Sequence, residues 1–202
     1  MSRITYVNGS YLNYYESKVH IEDRGYQFAD GVYEVFSVVN EKVIDYEAHI
    51  KRLYKSLKEI ELKSPINKRS YFFHIKNIIK KNMTINGLIY LQVTRGISPR
   101  DFKFPKATKG SLVIIGRSLP KNQYEKFFNK GIRVKIVKDL RWKRVDIKTI
   151  NLLAPVLAKE AAFKEGCEEA WLIDKDGFIT EGSSSTAWIL KGNTLYTTPL
   201  SN

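Results

Sequence analysis

Residues 144–151 read Arg-Val-Asp-Ile-Lys-Thr-Ile-Asn and place charged side chains where an apolar strand turns into a helix. The strand is predicted from residues 132–136, in which apolar and charged side chains alternate strictly. The helix is predicted over residues 152–164, where Pro155 is tolerable only in the first turn. Taken alone, Lys148 is one of many lysines at the solvated end of an element. This stretch therefore marks a strand-to-helix transition without fixing a chemistry.

A second unusual stretch, Thr-Glu-Gly-Ser-Ser-Ser-Thr at 180–186, has a glutamate at a strand end followed by small polar residues. A tight hairpin is predicted on each side of it, one at Asp176-Gly177 and one at Gly192-Asn193, because such dipeptides are typical of hairpin turns. Glu181, taken alone, is one of many acids. The C-terminal half is therefore predicted to be rich in strands.

The N-terminal half alternates strands and helices. A hairpin is predicted at Asn8-Gly9, and buried strands are predicted over 88–94 and 112–115. Apolar spacings of three and four predict one helix from Glu47 and another over 70–81. Residues 116–122 lose periodicity and include a proline, which favours a linker. We therefore expect two domains, an α/β domain over 1–117 and a strand-rich domain over 118–202.

Composition limits the classes of function. The 202 residues carry a formal charge of +13, but the lysines are scattered through every segment, which favours a solvated surface over a nucleic-acid site. A single cysteine, Cys167, excludes an intrachain disulfide and a multi-cysteine metal site. The N-terminus lacks the apolar stretch of a signal peptide, and no run of about 18 apolar residues occurs. We expect a cytoplasmic protein with no metal and no membrane or nucleic-acid partner.

Five stretches together resemble a known family. In chain order they are residues 22–34, 49–53, 93–100, 146–153 and 180–185. They resemble the class IV (fold-type IV) pyridoxal-phosphate aminotransferases, and most closely the D-amino-acid (D-alanine) aminotransferases among them. The resemblance implies an α+β fold, with an N-terminal α/β sandwich domain followed by an incomplete, strand-rich, barrel-like C-terminal domain. It also implies a pyridoxal 5'-phosphate cofactor and a homodimer.

The resemblance assigns three residues to the cofactor. Lys148 would bond to the cofactor aldehyde and, once freed by the substrate, move a proton between Cα and the cofactor carbon. Such a lysine must be partly neutral, so a cation-rich, partly desolvated site that lowers its pKa is expected. Glu181 would keep the pyridine nitrogen protonated, and Arg52 would bind the phosphate through its forked guanidinium. His49, like His20 and His74, is expected to be an ordinary surface or core histidine.

By the same resemblance, Tyr33 and Arg100 hold the substrate carboxylate, with Tyr90 in the same pocket. The chain departs from the family at Phe102, where a histidine is usual, so one carboxylate donor is missing. The resemblance also stops at residues 197–202, before the stretch that closes the C-terminal domain in the family. The implied activity is transamination between a D-amino acid and a 2-oxo acid. A branched-chain or amine aminotransferase, an aminodeoxychorismate lyase and an inactive truncated remnant are the alternatives.

Overall fold

A computed structural model describes residues 3–120 and 125–198 of the chain. The chain divides into two compact units, the first comprising Met1–Lys121 with Ile147–Ile150, the second Asn122–Asp146 with Asn151–Asn202. The boundary predicted after residue 117 lies one residue before the end of the strand Ser111–Ser118. The prediction also placed residues 147–150 in the second domain, whereas in the structure they belong to the first unit, where Thr149 pairs with Val32 of a strand.

The first unit is built on a six-stranded antiparallel sheet in the order β2-β1-β6-β5-β3-β4. Its strands are β1 (Ile4–Val7), β2 (Ser10–Asn13), β3 (Gly31–Val39), β4 (Lys42–Val43), β5 (Gly87–Thr94) and β6 (Ser111–Ser118). Its α-helices are α1 (Arg24–Phe28), α2 (Tyr46–Glu59) and α3 (Lys68–Lys81), and a 3-10 turn spans Tyr14–Glu16. The Asn8-Gly9 hairpin, both helices and both buried strands of the prediction are confirmed. Part of the predicted linker, residues 116–118, instead continues β6.

The core lies between one face of this sheet and helices α2 and α3. Alternate residues of β3 and β5 point to that face, because strand side chains alternate between faces. The buried apolar set comprises Val32, Phe36, Val38, Ile89, Leu91 and Val93 from the sheet and Ile50, Leu53, Leu57, Ile75, Ile78 and Ile79 from the helices. Tyr33 and Tyr90 occupy the intervening, partly exposed positions of the same strands. The sheet therefore has one covered face and one face on which polar side chains can meet a ligand.

Gly31, the first residue of β3, is tightly enclosed. A Cβ added there would lie 2.7 Å from the carbonyl oxygen of Val93 and 3.2 Å from Cδ1 of Ile150. Gly31→Ala is therefore expected to destabilise the first unit by about 1–3 kcal/mol, because the neighbouring β5 backbone must shift. Hydrogen exchange of the β3 and β5 amides measures this loss.

The control is Ser37→Ala, at an exposed position of the same strand, which should change the stability by about 0.5 kcal/mol or less. Protection of the β3 amides that is equal in Gly31→Ala and the parent chain would contradict the expectation.

The second unit contains two small sheets. β7 (Val134–Lys138) pairs in parallel with β8 (Glu169–Ile173), which pairs antiparallel with β9 (Ile179–Gly182). β10 (Trp188–Lys191) and β11 (Thr194–Thr197) form a separate hairpin. The helices are α4 (Glu125–Lys130) and α5 (Leu153–Lys164), and Ala158 and Ala162 of α5 pack against Ala170 and Leu172 of β8.

The predicted elements of this unit are largely confirmed. Both hairpins occur where Asp176-Gly177 and Gly192-Asn193 predicted them, and Pro155 lies in the first turn of α5. The strand predicted over 132–136 begins and ends two residues later, at Val134–Lys138. The α+β class is confirmed.

No helix within residues 3–120 or 125–198 is long and apolar enough to cross a membrane. Nor do these ranges contain a group of three or more histidine, cysteine, aspartate or glutamate side chains arranged to hold a metal ion.

Candidate functional site

The candidate site lies at the outer edge of β3. β4 pairs only with Val38 and Val39 at the far end of that strand, so the edge near Gly31 is open to another segment. Residues 147–150 occupy it. The amide of Tyr33 donates a hydrogen bond to the carbonyl oxygen of Lys148 at 3.0 Å. The amide of Ile150 donates one to the carbonyl oxygen of Gly31 at 3.2 Å.

Helix α2 supports the same segment from the side of the core. The amide of Lys148 donates to Oγ of Ser56, a fully buried α2 residue, at 3.1 Å. Ile147 is 4% exposed and belongs to the core of the first unit. The backbone of Lys148 is therefore held on both sides by hydrogen bonds, while its side chain can still change conformation.

The Lys148 side chain points to Tyr33. Its Nζ donates to Tyr33 Oη at 3.1 Å and lies 4.5 Å from the centre of that ring. Across the described ranges this hydroxyl is its one polar partner, and no carboxylate pairs with the amine. Condensation with an aldehyde needs a primary amine that is not tied up in an ion pair. The residues present thus fit an aldehyde cofactor at this position.

Tyr90 extends the site along the open face of the sheet. Its ring stacks on that of Tyr33 with centres 5.7 Å apart and planes at 28°. Tyr90 Oη donates to Oε1 of Gln92 at 2.6 Å. Burial, with a smaller contribution from Tyr33, raises the pKa of Tyr90 to about 12, so this phenol keeps its proton at neutral pH. The two phenols form a partly buried wall beside the Lys148 amine.

Arg52 of α2 is held by a fully buried carboxylate. Its Nε and Nη2 donate to Oε1 and Oε2 of Glu34, each at 2.7 Å, and Nδ1 of His49 lies 2.7 Å from Oε2. Burial alone would raise the pKa of Glu34, but hydrogen bonds from Arg52 and His49 together with their charges hold it below its ordinary value. The same hydrogen bonds with Glu34 raise the pKa of Arg52.

This pairing leaves part of the Arg52 guanidinium open. Nη1 makes no hydrogen bond to any residue that the structure describes, and the side chain is 43% exposed. A guanidinium clamped along one edge presents the other in a fixed direction, which suits a phosphate. The described residues thus include a guanidinium with a donor open to a phosphate, in Arg52, and an amine open to an aldehyde, in Lys148.

Glu34 and His49 were not predicted as parts of the site. A signal for Glu34 exists in the sequence, since it is a charged residue at a core-facing position of β3. The signal for His49 is its position three residues before Arg52, which places both on one side of α2. Neither signal identifies the partner, because Glu34 and Arg52 belong to different elements.

Arg100 lies apart from these residues. Its guanidinium is 4.6 Å from the ring centre of Phe28 and 5.9 Å from that of Phe102. Within the described ranges no hydrogen bond, ion pair or ring contact joins it to Tyr33 or Lys148. Phe102 is 81% exposed and its ring lies 5.3 Å from that of Phe28. Direct contacts thus join Lys148, Tyr33 and Tyr90, and Arg52 is close enough to Tyr33 for their charges to interact. No contact among the described residues joins Arg100 to this group.

Glu181 belongs to the second unit, where it lies in β9 opposite Leu172. Its side chain is partly buried, and Oε1 accepts a hydrogen bond from the amide of Gly182 at 3.3 Å. That amide also donates to the carbonyl oxygen of Ser185 at 2.8 Å, which closes a tight turn directly after Glu181. The turn therefore helps to orient the Glu181 carboxylate.

The serines of this turn bind a second carboxylate, Glu169. Its donors are the hydroxyls of Ser183, Ser184 (2.8 Å) and Ser185 (2.9 Å), the amide of Ala170 (2.8 Å) and Nζ of Lys159 (3.0 Å). Glu169 is 4% exposed. Burial raises its pKa, but the bonds from Ser183, Ala170 and Lys159 outweigh burial and bring the pKa to about 2. The serine run thus serves to hold the turn onto β8.

Glu169 gives the second unit an acid-dependent stability. Its folded pKa of about 2 lies below the ordinary 4.5, so the unfolded chain takes up a proton first as the pH falls. The contribution is complete above about pH 4.5 and is lost as the pH falls from there towards 2. We expect the free energy of unfolding of this unit to be lower at pH 3 than at pH 6. Tryptophan fluorescence in urea measures it, since Trp142, Trp171 and Trp188 all belong to this unit.

The matched variant is Glu169→Gln, which should lose stability at pH 6 and show a weaker dependence on pH. Asp139, whose pKa is also held at about 2 by Arg141 and Thr180 despite burial, supplies the remaining dependence. An unchanged difference between pH 3 and pH 6 in Glu169→Gln would contradict the assignment.

Sequence comparison places the chain among known relatives. The model of the family described as Amino-transferase class IV matches residues 31–202. A D-alanine aminotransferase of Staphylococcus epidermidis is 34% identical over 197 residues, covering 98% of this chain and 69% of the relative. One from Bacillus licheniformis is 38% identical over 193 residues, covering 96% and 67%. The chain thus spans about two-thirds of the length of these relatives.

Solved structures show the same fold. A branched-chain amino acid aminotransferase of Escherichia coli aligns with a TM-score of 0.85 at 18% identity, over 98% of this chain and 68% of that one. The branched-chain aminotransferase of Thermoproteus uzoniensis, solved with norvaline, aligns with a TM-score of 0.82 at 21% identity, over 99% and 69%. At this identity the likeness concerns the fold alone. Together with the family match and the sequence relatives, it establishes that the chain belongs to the class IV aminotransferases, a family of pyridoxal-phosphate-dependent transferases.

Proposed function

We propose that this chain catalyses pyridoxal-phosphate-dependent transamination between a D-amino acid such as D-alanine and a 2-oxo acid. The observation that carries the proposal is the amine of Lys148, which has no carboxylate partner in the described ranges and lies 3.1 Å from Tyr33 Oη on the edge of β3. The choice of a D-amino acid is supported by relatives named D-alanine aminotransferase at 34% and 38% identity.

Lys148 is the proposed catalytic residue. Its Nζ would hold the cofactor at the aldehyde group and, as a free amine, would act as the base that takes the proton from Cα of the substrate and as the acid that returns it. When bound, pyridoxal phosphate supplies an electron-withdrawing ring that stabilises negative charge at Cα. Tyr33 Oη fixes the direction of the amine by accepting its hydrogen bond, so the proton moves from a defined side of the substrate.

Arg52 is the proposed phosphate ligand. Glu34 holds two of its nitrogens and leaves Nη1 for a phosphate oxygen. Since Glu34 is fully buried, the clamp is rigid and the guanidinium needs little ordering when the anion binds. The buried carboxylate also keeps the local charge balanced when no phosphate is present.

Glu181 is the proposed partner of the pyridine nitrogen. A carboxylate there favours the protonated ring, which withdraws electrons more strongly than the neutral one. The Gly182 amide and the turn that Glu169 anchors support its orientation. This assignment predicts that replacing Glu181 impairs the reaction while the Lys148–cofactor bond still forms.

The substrate carboxylate is assigned to Tyr33, Tyr90 and Arg100. Because Arg100 makes no contact with Tyr33 or Lys148 of the same chain across the described ranges, we propose that it serves the site of a second copy. The proposed assembly is therefore a homodimer. A mixture of Lys148→Ala and Arg100→Ala chains should then recover activity that neither variant has alone, whereas a monomer would recover none.

We place the reaction in the cytoplasm, because Cys167 is free and a single unpaired thiol favours a reducing compartment. Fractionation of cells that produce the chain tests this location. Recovery in a secreted or membrane fraction would overturn it.

The function is tested with the full chain, pyridoxal phosphate and 2-oxoglutarate. We expect pyruvate to form from D-alanine and much less from L-alanine. Equal rates with the two enantiomers, or turnover of L-leucine alone, would contradict the choice of a D-amino acid. An absence of any visible absorbance change on mixing chain and cofactor would contradict the role of Lys148 as well.

A further inference from the structure

A buried ion cluster lies at the base of the loop between β5 and β6. Oδ2 of Asp30 accepts hydrogen bonds from Nε of Arg24 at 2.8 Å and Nε of Arg95 at 2.7 Å, and the two arginine side chains are 3% and 5% exposed. Arg95 also donates to the carbonyl oxygens of Ile60 and Glu61 at 2.6 and 3.2 Å. These carbonyls lie at the C-terminal end of α2, where a cation is favourable. Arg95 thus has a structural role, which is to join Asp30 to the C-terminal end of α2.

Arg24 has a different second contact. Its Nη1 donates to the carbonyl oxygen of Asp101 at 2.5 Å, in the middle of the loop and next to Arg100. Its guanidinium lies 4.7 Å from the centre of the Phe28 ring. The guanidinium of Arg100 lies 4.6 Å from the same ring, and the Phe102 ring packs 5.3 Å from it. Arg24 therefore reaches Arg100 through both the backbone and a shared aromatic ring.

These contacts matter because Arg100 has no polar partner among the residues that the structure describes. A long side chain without a partner loses rotamer freedom when it binds an anion, which weakens binding. Fixing its backbone and packing its guanidinium on an aromatic ring lowers that cost. We propose that Arg24 is a positioning residue that sets the Arg100 guanidinium for the substrate carboxylate. The proposal rests on the proposed function, since it needs Arg100 to bind that carboxylate.

Phe102 gains a role from this arrangement. It supplies no hydrogen bond, but its ring packs on Phe28 and lies 5.9 Å from the Arg100 guanidinium. The chain thus has an aromatic support for Arg100 where a second carboxylate donor was predicted to be missing. Binding of the carboxylate then depends more heavily on the position of Arg100, and therefore on Arg24.

The test uses Arg24→Lys in the full chain loaded with pyridoxal phosphate. A lysine keeps the charge beside Asp30 but cannot bond to Asp30 and Asp101 with a rigid fork. We expect the KM for D-alanine to rise about tenfold with kcat within about twofold, because ground-state binding is what is lost. The inhibition constant of propionate, a carboxylate without an amino group, should rise by the same factor. The matched control is Arg95→Lys, at the other arginine of Asp30, which should leave both constants within about twofold.

Limited trypsin digestion separates this proposal from the proposed function. Cleavage after Arg100 should be faster in Arg24→Lys than in the parent and unchanged in Arg95→Lys, whether or not the chain transaminates D-alanine. Cleavage after Lys103 is not compared, because the Arg95 guanidinium lies 3.7 Å from the ring centre of the adjoining Phe104. Absent transamination by the parent overturns the proposed function, and cleavage then still decides whether Arg24 orders the loop. Unchanged KM and propionate inhibition in Arg24→Lys, equal rises in Arg95→Lys, or unchanged cleavage would overturn the positioning role.

Discussion

Lys148→Ala is expected to lower the rate of D-alanine transamination by about 10⁴-fold or more, since removal of a covalent catalyst can cost about 10⁶-fold in kcat. The variant removes the one amine that the candidate site offers to an aldehyde within the described ranges, next to Tyr33 Oη at 3.1 Å. Borohydride reduction of the parent chain with cofactor should label the peptide that contains residue 148, and the variant should carry no label there. Initial rates and peptide mass mapping measure the two effects.

Two controls keep this result specific. Lys148→Arg retains the positive charge but offers no nucleophile at neutral pH, so it should be as inactive as the alanine variant. Lys143→Ala, at an exposed lysine five positions before Lys148, should retain the parent rate. Because Lys148 has a hydroxyl and no carboxylate as partner among the described residues, we expect stability to change by about 1 kcal/mol or less. Full activity of Lys148→Ala, or label on another lysine, would refute the assignment.

Local chemistry explains what the sequence could predict of the fold. Asn8-Gly9 and Gly192-Asn193 specify hairpins because they tolerate positive φ, and Asn8, Gly9 and Gly192 do adopt it. The helix from Glu47 follows from apolar residues three and four positions apart, which form one buried side against the sheet. These features depend on neighbours within a few residues.

The candidate site depends on contacts that no local pattern contains. Lys148 meets Tyr33 across 115 positions of the chain, because residues 147–150 cross to the open edge of β3. The resemblance named both residues but not their contact. It also named Arg52 without the Glu34 and His49 side chains that hold it. Nor did the resemblance indicate that Arg100 makes no contact with Tyr33 among the described residues, since it assigned both to one carboxylate.

Glu34→Gln is expected to have the second largest effect, on cofactor binding and on stability together. The oxygen of the introduced glutamine side chain can accept a hydrogen bond from one nitrogen of Arg52. Its NH₂ group then faces the second Arg52 nitrogen, which is also a donor. The pair loses its ionised member, but the Arg52 charge that remains is 43% exposed and partly solvated, so we expect a loss of about 1–3 kcal/mol. Since Arg52 is no longer clamped, its Nη1 is less well directed at the phosphate. We expect the dissociation constant of pyridoxal phosphate to rise at least about tenfold, as measured by equilibrium dialysis.

The pH dependence distinguishes this pair from a general packing defect. Hydrogen bonds and charge from Arg52 and His49 hold the pKa of Glu34 below its ordinary 4.5, in spite of burial. Its contribution to stability is therefore complete above about pH 4.5 and is lost as the pH falls below that value. The difference in unfolding free energy between the parent chain and Glu34→Gln should shrink as the pH falls below about 4.5. Glu47→Gln, at an exposed acid of the helix that carries Arg52, should change stability by about 0.5 kcal/mol or less. A difference that stays the same at every pH would mean that packing, and not the ionised carboxylate, holds Arg52.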